Sequence, residues 1–331
     1  MSWSQRSVSI FKVTTSPMIN RLKLNHLPDT KISVTNVFNI NLNAYIPAFS
    51  KPNELVPPTR LGFQFDRRTT LCILAGLVYN KRVLIAGKHG TGKSTHIEQV
   101  CNRLNWGCIR INMDNYLTKS QLIGKESLIF QHRCSVVKFK YGLLPWALRR
   151  PIVLILDDYD VCTPEVKSIF NKLLGENGEI NIPENGRVIK PNASFRILAT
   201  STTLFGSQIS NFRENSAHLD KWNMVINAPK LSFNQELKLV NQITGKATRE
   251  NISEKIVKLA RMLRRLQDKG KLSLPFSVRS LLSWAELTII LNSIGEAFKY
   301  AYLNKCKKSD RLLIYEKYTE VFGSTCSIRC G

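Results

Sequence analysis

A glycine-rich segment at residues 87–94 constrains the fold of this 331-residue chain more than any other feature. It reads GKHGTGKS, which fits the pattern GxxxxGK followed by Ser or Thr in full. The short apolar run Arg82–Ala86 precedes it, and the helical pattern Thr91–Leu104 follows it. Strand, loop and helix in this order form the context in which the pattern is a phosphate-binding loop. The sequence therefore predicts a P-loop α/β fold with a nucleoside triphosphate site.

The residue types of this loop suit a triphosphate with magnesium. Its glycines let backbone N–H groups close around phosphates at a helix N-terminus. Lys93 is expected to reach the β- and γ-phosphates, and Ser94 to offer its hydroxyl to Mg²⁺. The residues predicted to bind ATP are Gly87, Lys88, His89, Gly90, Thr91, Gly92, Lys93, Ser94 and Thr95. The alternative, a glycine turn that carries a lysine by chance, is disfavoured by the complete match.

A second motif is the apolar run Ile152–Leu156, which leads directly into two acids. A buried strand of this kind places Asp157 beside the P-loop, where it is predicted to hold Mg²⁺ together with Ser94. Asp158 is predicted to orient the attacking water. Glutamate is usual at that position, and a displacement of about 1 Å can cost roughly 10²-fold in rate, so aspartate predicts slow hydrolysis. The alternative is a pair of acids that cap an exposed strand end.

The central region alternates short apolar strands with helical patterns. The predicted strands are Arg82–Ala86, Cys108–Asn112, Pro151–Leu156 and Phe195–Thr200, and the predicted helices are Thr69–Val78, Thr91–Leu104 and Pro164–Leu174. This alternation is typical of a parallel sheet flanked by helices. Two β-hairpin insertions are predicted, one around Leu128–Phe139 and one at the Asn185–Gly186 pair.

The composition changes on both sides of this region. Residues 45–60 hold four prolines and are predicted to be an extended linker over a domain surface, with the folded core beginning near Phe65. After Pro229 the strand patterns vanish, and amphipathic helices are predicted at Ser232–Ile243, Ile252–Leu266, Val278–Leu291 and in a last stretch to about Phe322. We therefore expect a disordered extension 1–17, an N-terminal segment and linker 18–64, a nucleotide-binding α/β core 65–229 and an all-α lid domain 230–331.

The first 25 residues are basic, rich in serine and threonine and free of acids, which is also the composition of an organelle transit peptide. The alternative is that Met18 is the true start and residues 1–17 are a misassigned extension.

The net charge of +24, from 48 basic and 24 acidic residues, raises the question of a polyanionic partner. The basic residues are spread along the whole chain, and no basic run with interleaved aromatics stands out. We therefore expect no nucleic acid partner, although a polyanion, including an acidic protein, stays as the alternative. The eight cysteines show no CxxC pair and are predicted to be free thiols. Apolar stretches are shorter than the roughly 18–20 residues that cross a bilayer, so a soluble cytoplasmic protein without membrane association is predicted.

Several segments beyond the P-loop resemble the small AAA+ subunit of the aerobic cobaltochelatase, the CobS type, a MoxR-like ATPase. The resemblance covers about residues 18 to 322, and its segments are Ile46–Ser50 (IPAFS), Arg67–Ala75 (RRTTLCILA), His89–Asn105 (HGTGKSTHIEQVCNRLN), Tyr141–Ala147 (YGLLPWA), Asp157–Asp160 (DDYD) and Ser283–Glu286 (SWAE). It implies an AAA+ fold and assembly into a homo-oligomeric ring.

The AAA+ pattern also implies three accessory catalytic residues. Thr202 stands where a polar sensor, usually asparagine, lies between the two acids and the γ-phosphate, and a loop-capping role is the alternative. Lys221, in Asp220-Lys221-Trp222, stands where an arginine acts on the neighbouring subunit's nucleotide, and a plain surface lysine is the alternative. Arg279 stands where a second sensor arginine reaches the γ-phosphate, and a surface salt bridge is the alternative. Because Asp158, Thr202 and Lys221 depart from the family pattern, a slow or degenerate ATPase is expected.

The resemblance further implies a place in cobalamin synthesis. The ring would stack on a second AAA-related subunit (CobT type) and drive a large chelatase subunit (CobN type), which inserts Co²⁺ into hydrogenobyrinic acid a,c-diamide. Two other functions stay open on the sequence: a MoxR-type chaperone for metal insertion or protein maturation, and a nucleic-acid-stimulated AAA+ ATPase.

Overall fold

The computed structural model describes residues 27–131, 134–175, 178–202, 219–245 and 250–323. Residues 1–26, and with them the predicted extension 1–17, the transit-peptide composition and the alternative start at Met18, lie outside the described residues. The chain divides into two compact units, with the boundary between Ala228 and Pro229, and residues 89–92 are grouped with the second unit. Each unit has its own apolar core.

The first unit is built on a parallel sheet of five strands. In chain order these are β3 (Val83–Ala86), β4 (Cys108–Asn112), β7 (Val153–Asp157), β10 (Arg196–Ser201) and β11 (Met224–Asn227), and their order in the sheet is β11-β3-β10-β7-β4. All residues of β3 and β7 are buried, as expected for parallel strands covered on both faces. The fold is therefore the α/β sheet that the sequence predicts.

The helices of this unit are α1 (Val34–Phe38), α2 (Arg67–Tyr79), α3 (Lys93–Arg103), α4 (Lys119–Leu122), α5 (Leu143–Leu148) and α6 (Pro164–Leu173). Their ends follow ordinary capping chemistry. Asp66 accepts the Thr69 backbone N–H at the start of α2, and Thr163 accepts that of Val166 at the start of α6. The prediction that α3 begins at Thr91 was wrong by two residues, because Gly92 has φ +84° and cannot be helical.

The register of the sheet brings several loops to one edge. Ala86 of β3 pairs with Ser201 of β10, and Asn112 of β4 pairs with Asp157 of β7. Since all five strands are parallel, the residues after their carboxyl ends meet at this edge, where open α/β sheets bind ligands. The P-loop, Asp157 and the segment after β10 therefore lie together.

Both predicted hairpins are present. The first is β5 (Gly124–Gln131) with β6 (Cys134–Tyr141), and the second is β8 (Ile180–Ile182) with β9 (Arg187–Ile189). The second does not turn on the Asn185–Gly186 pair alone. Pro183–Asn185 forms a 3₁₀ turn, and Gly186, with φ +64°, leads into β9. A proline fixed at φ near −65° favours this longer turn over a two-residue one.

The apolar core begins earlier than the expected position near Phe65. Strand β1 (Thr30–Ser33) pairs with β2 (Tyr45–Ala48), which lies at the start of the proline-rich segment. Val34, Phe38 and Ile46 are buried in the same cluster as Val83 and Ile85 of β3. Part of the predicted linker is therefore a strand. A proline at position 47 is tolerated because strands of a two-stranded sheet are edge strands.

The rest of the proline-rich segment packs on α3. The Gln99 side chain donates to Pro58 O at 2.9 Å and accepts the Arg60 backbone N–H at 2.8 Å, and Asn102 donates to Pro57 O at 2.8 Å. Side chains of the P-loop helix thus fix this otherwise irregular segment.

The second unit is helical in its described part. Its helices are α7 (Phe233–Thr244), α8 (Glu250–Asp268), α9 (Val278–Leu291), α10 (Ile294–Ala301) and α11 (Lys308–Phe322). The predicted last helical stretch is divided by a 3₁₀ turn at Leu303–Lys305. Trp284, Phe298 and Tyr318 are buried in its core. Across the described ranges, none of the helices is both long and apolar enough to span a bilayer.

Candidate nucleotide-binding site

The P-loop connects the buried strand β3 to the N-terminus of α3. Gly90 and Gly92 have φ of +71° and +84°, a backbone conformation that favours glycine. The Gly87 N–H donates to Ser201 O at 3.0 Å, which attaches the start of the loop to β10. Lys88 and His89 are exposed, and Thr91 and Thr95 are half-buried. The loop therefore presents backbone N–H groups and a helix N-terminus together, which suits anionic phosphates.

Lys93 lies at the first position of α3 and is buried. Its ammonium donates to Gly87 O at 2.7 Å and to Lys88 O at 3.2 Å. Burial lowers the pKa of Lys93, and the nearby carboxylates, of which Asp158 acts most strongly, partly oppose that shift. The Lys93 ammonium is thus held inside the loop by two main-chain carbonyl oxygens, and phosphate oxygens could take the place of these acceptors.

Asp157 ends β7 and is buried beside the P-loop helix. Its Oδ1 accepts hydrogen bonds from the Ser94 hydroxyl and, at 2.6 Å, from the Thr200 hydroxyl. Burial disfavours the ionised form of Asp157, but the hydrogen bonds from Ser94 and Thr200 and the charge of Arg110 outweigh it and hold its pKa below the usual value. A carboxylate and a hydroxyl in contact at a helix N-terminus are hard oxygen donors of the kind that Mg²⁺ requires.

Asp158 has a left-handed backbone, with φ +53°. Its N–H donates to the Thr200 hydroxyl at 3.1 Å. Among residues other than glycine, asparagine and aspartate adopt this conformation most readily. The aspartate at this position therefore has a backbone explanation in addition to any effect on hydrolysis.

Thr202 is bonded to Asp160. Its N–H donates to Asp160 Oδ1 at 3.1 Å, and its hydroxyl donates to Oδ2 at 2.8 Å. This is the geometry of the loop-capping alternative, and Thr200, two residues earlier, is the residue that contacts Asp157. The sensor role of Thr202 stays a prediction.

Lys221 makes its contact within its own chain. The ammonium donates to Asn171 O in α6 at 3.0 Å. The next residue, Trp222, is buried with its ring 5.4 Å from that of Tyr159. Arg279 is the second residue of α9, whose N-cap Ser277 accepts the Ser280 backbone N–H. The catalytic roles assigned to Lys221 and Arg279 stay predictions.

Sequence reasoning missed two residues that contact Asp157, namely Thr200 and Arg110. Arg110 Nε donates to Asp157 Oδ2 at 2.8 Å, and a second guanidinium nitrogen contacts the same oxygen. Arg110 lies in the middle of an otherwise apolar strand pattern, which is an unusual place for a charge. A charged residue at that position could have indicated a functional role, but its contact with Asp157 depends on the register between β4 and β7.

Among the described residues, no group of three or more His, Cys, Asp or Glu side chains could hold a metal ion.

Comparisons with known families cover most of the chain. Residues 82–239 match the AAA domain (dynein-related subfamily), residues 23–56 match the cobaltochelatase CobS subunit N terminal, and residues 236–313 match the CbbQ/NirQ/NorQ C-terminal family.

Among solved structures, NtrX from Brucella abortus in complex with ATP is 15% identical with a TM-score of 0.49, covering 72% of this chain and 51% of that one. A mutant of RuvB from Thermotoga maritima is 13% identical with a TM-score of 0.46, covering 74% and 70%.

Among curated proteins, midasin from Dictyostelium discoideum is 30% identical over 124 residues, which are 36% of this chain and 2% of midasin. The aerobic cobaltochelatase subunit CobS from a Sinorhizobium species is 38% identical over 311 residues, which are 91% of this chain and 93% of that protein. With this identity over nearly the full length of both proteins, the chain belongs to the family of aerobic cobaltochelatase CobS subunits, and its nucleotide-binding unit is an AAA domain.

Proposed function

We propose that this chain is the ATP-hydrolysing subunit of a cobaltochelatase, which couples ATP hydrolysis to Co²⁺ insertion into hydrogenobyrinic acid a,c-diamide in cobalamin synthesis. The observation that carries the proposal is the contact of Ser94 with Asp157 at the end of a complete P-loop, in a chain of the CobS family. This arrangement supports the proposal because it would supply both a phosphate-binding loop and oxygen donors for Mg²⁺.

ATP binding would use the loop as the structure presents it. The backbone N–H groups of residues 87–94 receive the phosphates, and the Lys93 ammonium exchanges Gly87 O for phosphate oxygens. Ser94 and Asp157 hold Mg²⁺, directly or through water. When held there, Mg²⁺ would supply positive charge that offsets the charge developing on the phosphates.

Hydrolysis needs a water molecule in line with the γ-phosphorus. We assign its orientation to Asp158, whose backbone is fixed by Thr200. Water adds to the γ-phosphorus as the bond to the β-phosphate oxygen breaks. The electron pair of that bond leaves with ADP as negative charge, and a proton of the water passes to an oxygen of the phosphate product. Lys221 and Arg279 are proposed to stabilise that charge, Lys221 in a neighbouring subunit of a homo-oligomeric ring. Lys221 would first have to leave Asn171 O.

The proposed partners are a second AAA-related subunit of the CobT type and a large chelatase subunit of the CobN type. The test is reconstitution of the three proteins with Co²⁺, ATP and the tetrapyrrole substrate, followed by absorption spectroscopy of the product. We expect cobalt insertion with the wild-type chain and none with Lys93→Ala. Insertion at equal rates with both chains would reject the coupling of this P-loop to chelation.

The net charge of +24 favours one competing function, a nucleic-acid-stimulated ATPase. That function predicts DNA or RNA binding with a steep salt dependence and faster hydrolysis when nucleic acid is added. We expect neither. Capture of a partner protein other than chelatase subunits would instead favour a MoxR-type chaperone.

A further inference from the structure

The buried carboxylate of Asp157 receives donors on both of its oxygens. The Ser94 and Thr200 hydroxyls donate to Oδ1. Among the described residues, the donor to Oδ2 is the Arg110 guanidinium. Asp157 is one of the two residues assigned to Mg²⁺, and Arg110 has no part in the nucleotide chemistry proposed so far. The Arg110 guanidinium therefore places a permanent positive charge in contact with a residue that we propose holds Mg²⁺.

Arg110 is itself held from two sides. It lies on β4 opposite Ile155 of β7, and its Nη1 is 3.6 Å from Glu98 Oε1 of α3. Its side chain is 42% exposed, whereas that of Asp157 is 6% exposed. The charge of Arg110 is therefore partly solvated, so the pair escapes much of the desolvation that makes fully buried ion pairs unfavourable.

Two guanidinium nitrogens on one oxygen restrict rotation of the Asp157 carboxylate. The planar fork of arginine provides this restriction, which the single ammonium of lysine does not. With Oδ2 fixed, Oδ1 stays directed at Ser94. A displacement of about 1 Å at such a position costs roughly 10²-fold in rate, so the restriction favours turnover.

The charge of Arg110 has an opposite effect on metal binding. A positive charge near a Mg²⁺ ligand repels the incoming divalent cation and neutralises part of the carboxylate's attraction for it. Removal of Arg110 should therefore strengthen Mg²⁺ binding and weaken hydrolysis. A residue that only stabilised the fold would weaken both.

We propose that Arg110 is a positioning residue, which orients Asp157 for hydrolysis and lowers the affinity of the site for Mg²⁺. The proposal rests on the proposed function, since it requires that Ser94 and Asp157 hold Mg²⁺ with ATP.

The test titrates Mg²⁺ into the full-length protein with a fluorescent ATP analogue and measures steady-state turnover and thermal unfolding on the same samples. Arg110→Ala is compared with Arg110→Lys and with Arg68→Ala, which removes the same charge from an exposed arginine of α2. For Arg110→Ala we expect half-saturating Mg²⁺ to fall roughly three- to tenfold, the size expected for one screened charge acting on a divalent cation. Turnover should fall at least about tenfold.

Arg110→Lys should keep the wild-type Mg²⁺ requirement and still lose turnover, because it retains the charge without the fork. Equal behaviour of Arg110→Ala and Arg68→Ala would overturn the proposal, and so would weaker Mg²⁺ binding that accompanies a lower melting temperature. If the wild-type chain itself does not bind the analogue with Mg²⁺, the proposed function fails first and this inference fails with it.

Discussion

The Thr200 hydroxyl donates a hydrogen bond of 2.6 Å to Asp157 Oδ1 and accepts the Asp158 N–H at 3.1 Å. One buried hydroxyl thus joins both acids of the motif after β7. Thr202, which the sequence pattern favours as the polar sensor, is bonded to Asp160. Substitutions of Thr200 and Thr202 should therefore affect ATP turnover to different extents.

We expect Thr200→Val to lower ATP turnover roughly 10- to 100-fold, because it removes a hydrogen-bond donor to Asp157 and the acceptor that Thr200 provides for the Asp158 N–H. Thr202→Val should lower turnover by less than about threefold, since among the described residues its hydroxyl donates to Asp160 and not to Asp157. Steady-state hydrolysis by the two variants checks this order. A larger loss for Thr202→Val would contradict this order and favour the sensor role predicted for Thr202.

The left-handed backbone of Asp158 predicts an effect on stability. Asp158→Glu places a longer side chain at φ +53° and should lower the free energy of unfolding by about 1 kcal/mol, while Asp158→Asn should leave it unchanged. Urea unfolding of both variants measures the difference. If aspartate limits the rate as proposed, turnover of Asp158→Glu rises despite this loss, whereas that of Asp158→Asn falls. Equal stability of the two variants would contradict the backbone argument.

The second unit contains a buried carboxylate that predicts a large loss of stability. Glu236 is 1% exposed and accepts from Arg261 Nε at 2.9 Å and from Arg264. Glu236→Ala leaves two arginines without their counter-ion and should cost about 3–5 kcal/mol.

The matched control is Lys230→Ala, which breaks an exposed ion pair with Asp268 and should cost less than about 1 kcal/mol. Differential scanning calorimetry of both variants measures the shift of the melting temperature. A shift for Glu236→Ala no larger than that for Lys230→Ala would show that the buried pair contributes little.

His96 predicts a pH dependence of folding. Burial lowers its pKa to about 4, and its Nε2 lies 2.8 Å from the Thr70 hydroxyl. Between pH 6.5 and 4 the unfolded chain binds a proton that the folded chain does not. The free energy of unfolding should therefore decrease as the pH falls through this window, by at most about 3 kcal/mol, and His96 should add no pH dependence above it. Urea unfolding of wild type and His96→Gln from about pH 7 to about pH 4 isolates the effect, and parallel curves would refute it.

Local patterns in the sequence were enough for much of this fold. The bounds predicted for one strand and one helix are confirmed, namely Cys108–Asn112 and Val278–Leu291. A short apolar run and an amphipathic period each depend on the residues of a single element, so both can be recognised locally. The edge strand Met224–Asn227 was missed, since four residues of alternating exposure carry little periodic signal. A buried strand of four residues, such as β3, was found because its apolar run is continuous and a P-loop follows it.

The candidate site shows the same division. The P-loop and the apolar strand that ends in Asp157 are each formed by contiguous residues, so a local pattern was enough to predict each of them. Arg110 and Thr200 act through strands that are far apart in the chain and adjacent in the sheet, and no local pattern contains that register. The hydrogen bond from the Asp158 N–H to Thr200 likewise joins residues of two strands that are far apart in the chain.

ATP hydrolysis by the full-length chain with Mg²⁺, compared between wild type and Lys93→Ala, tests the central claim most directly. Phosphate production is measured with the partner subunits present, so that a ring-dependent rate is detected. We predict measurable turnover for the wild type and a loss of at least about 10²-fold for Lys93→Ala, because the variant lacks the cation that we propose contacts the β- and γ-phosphates. Indistinguishable rates for the two chains would contradict the assignment of the P-loop as a working ATPase site.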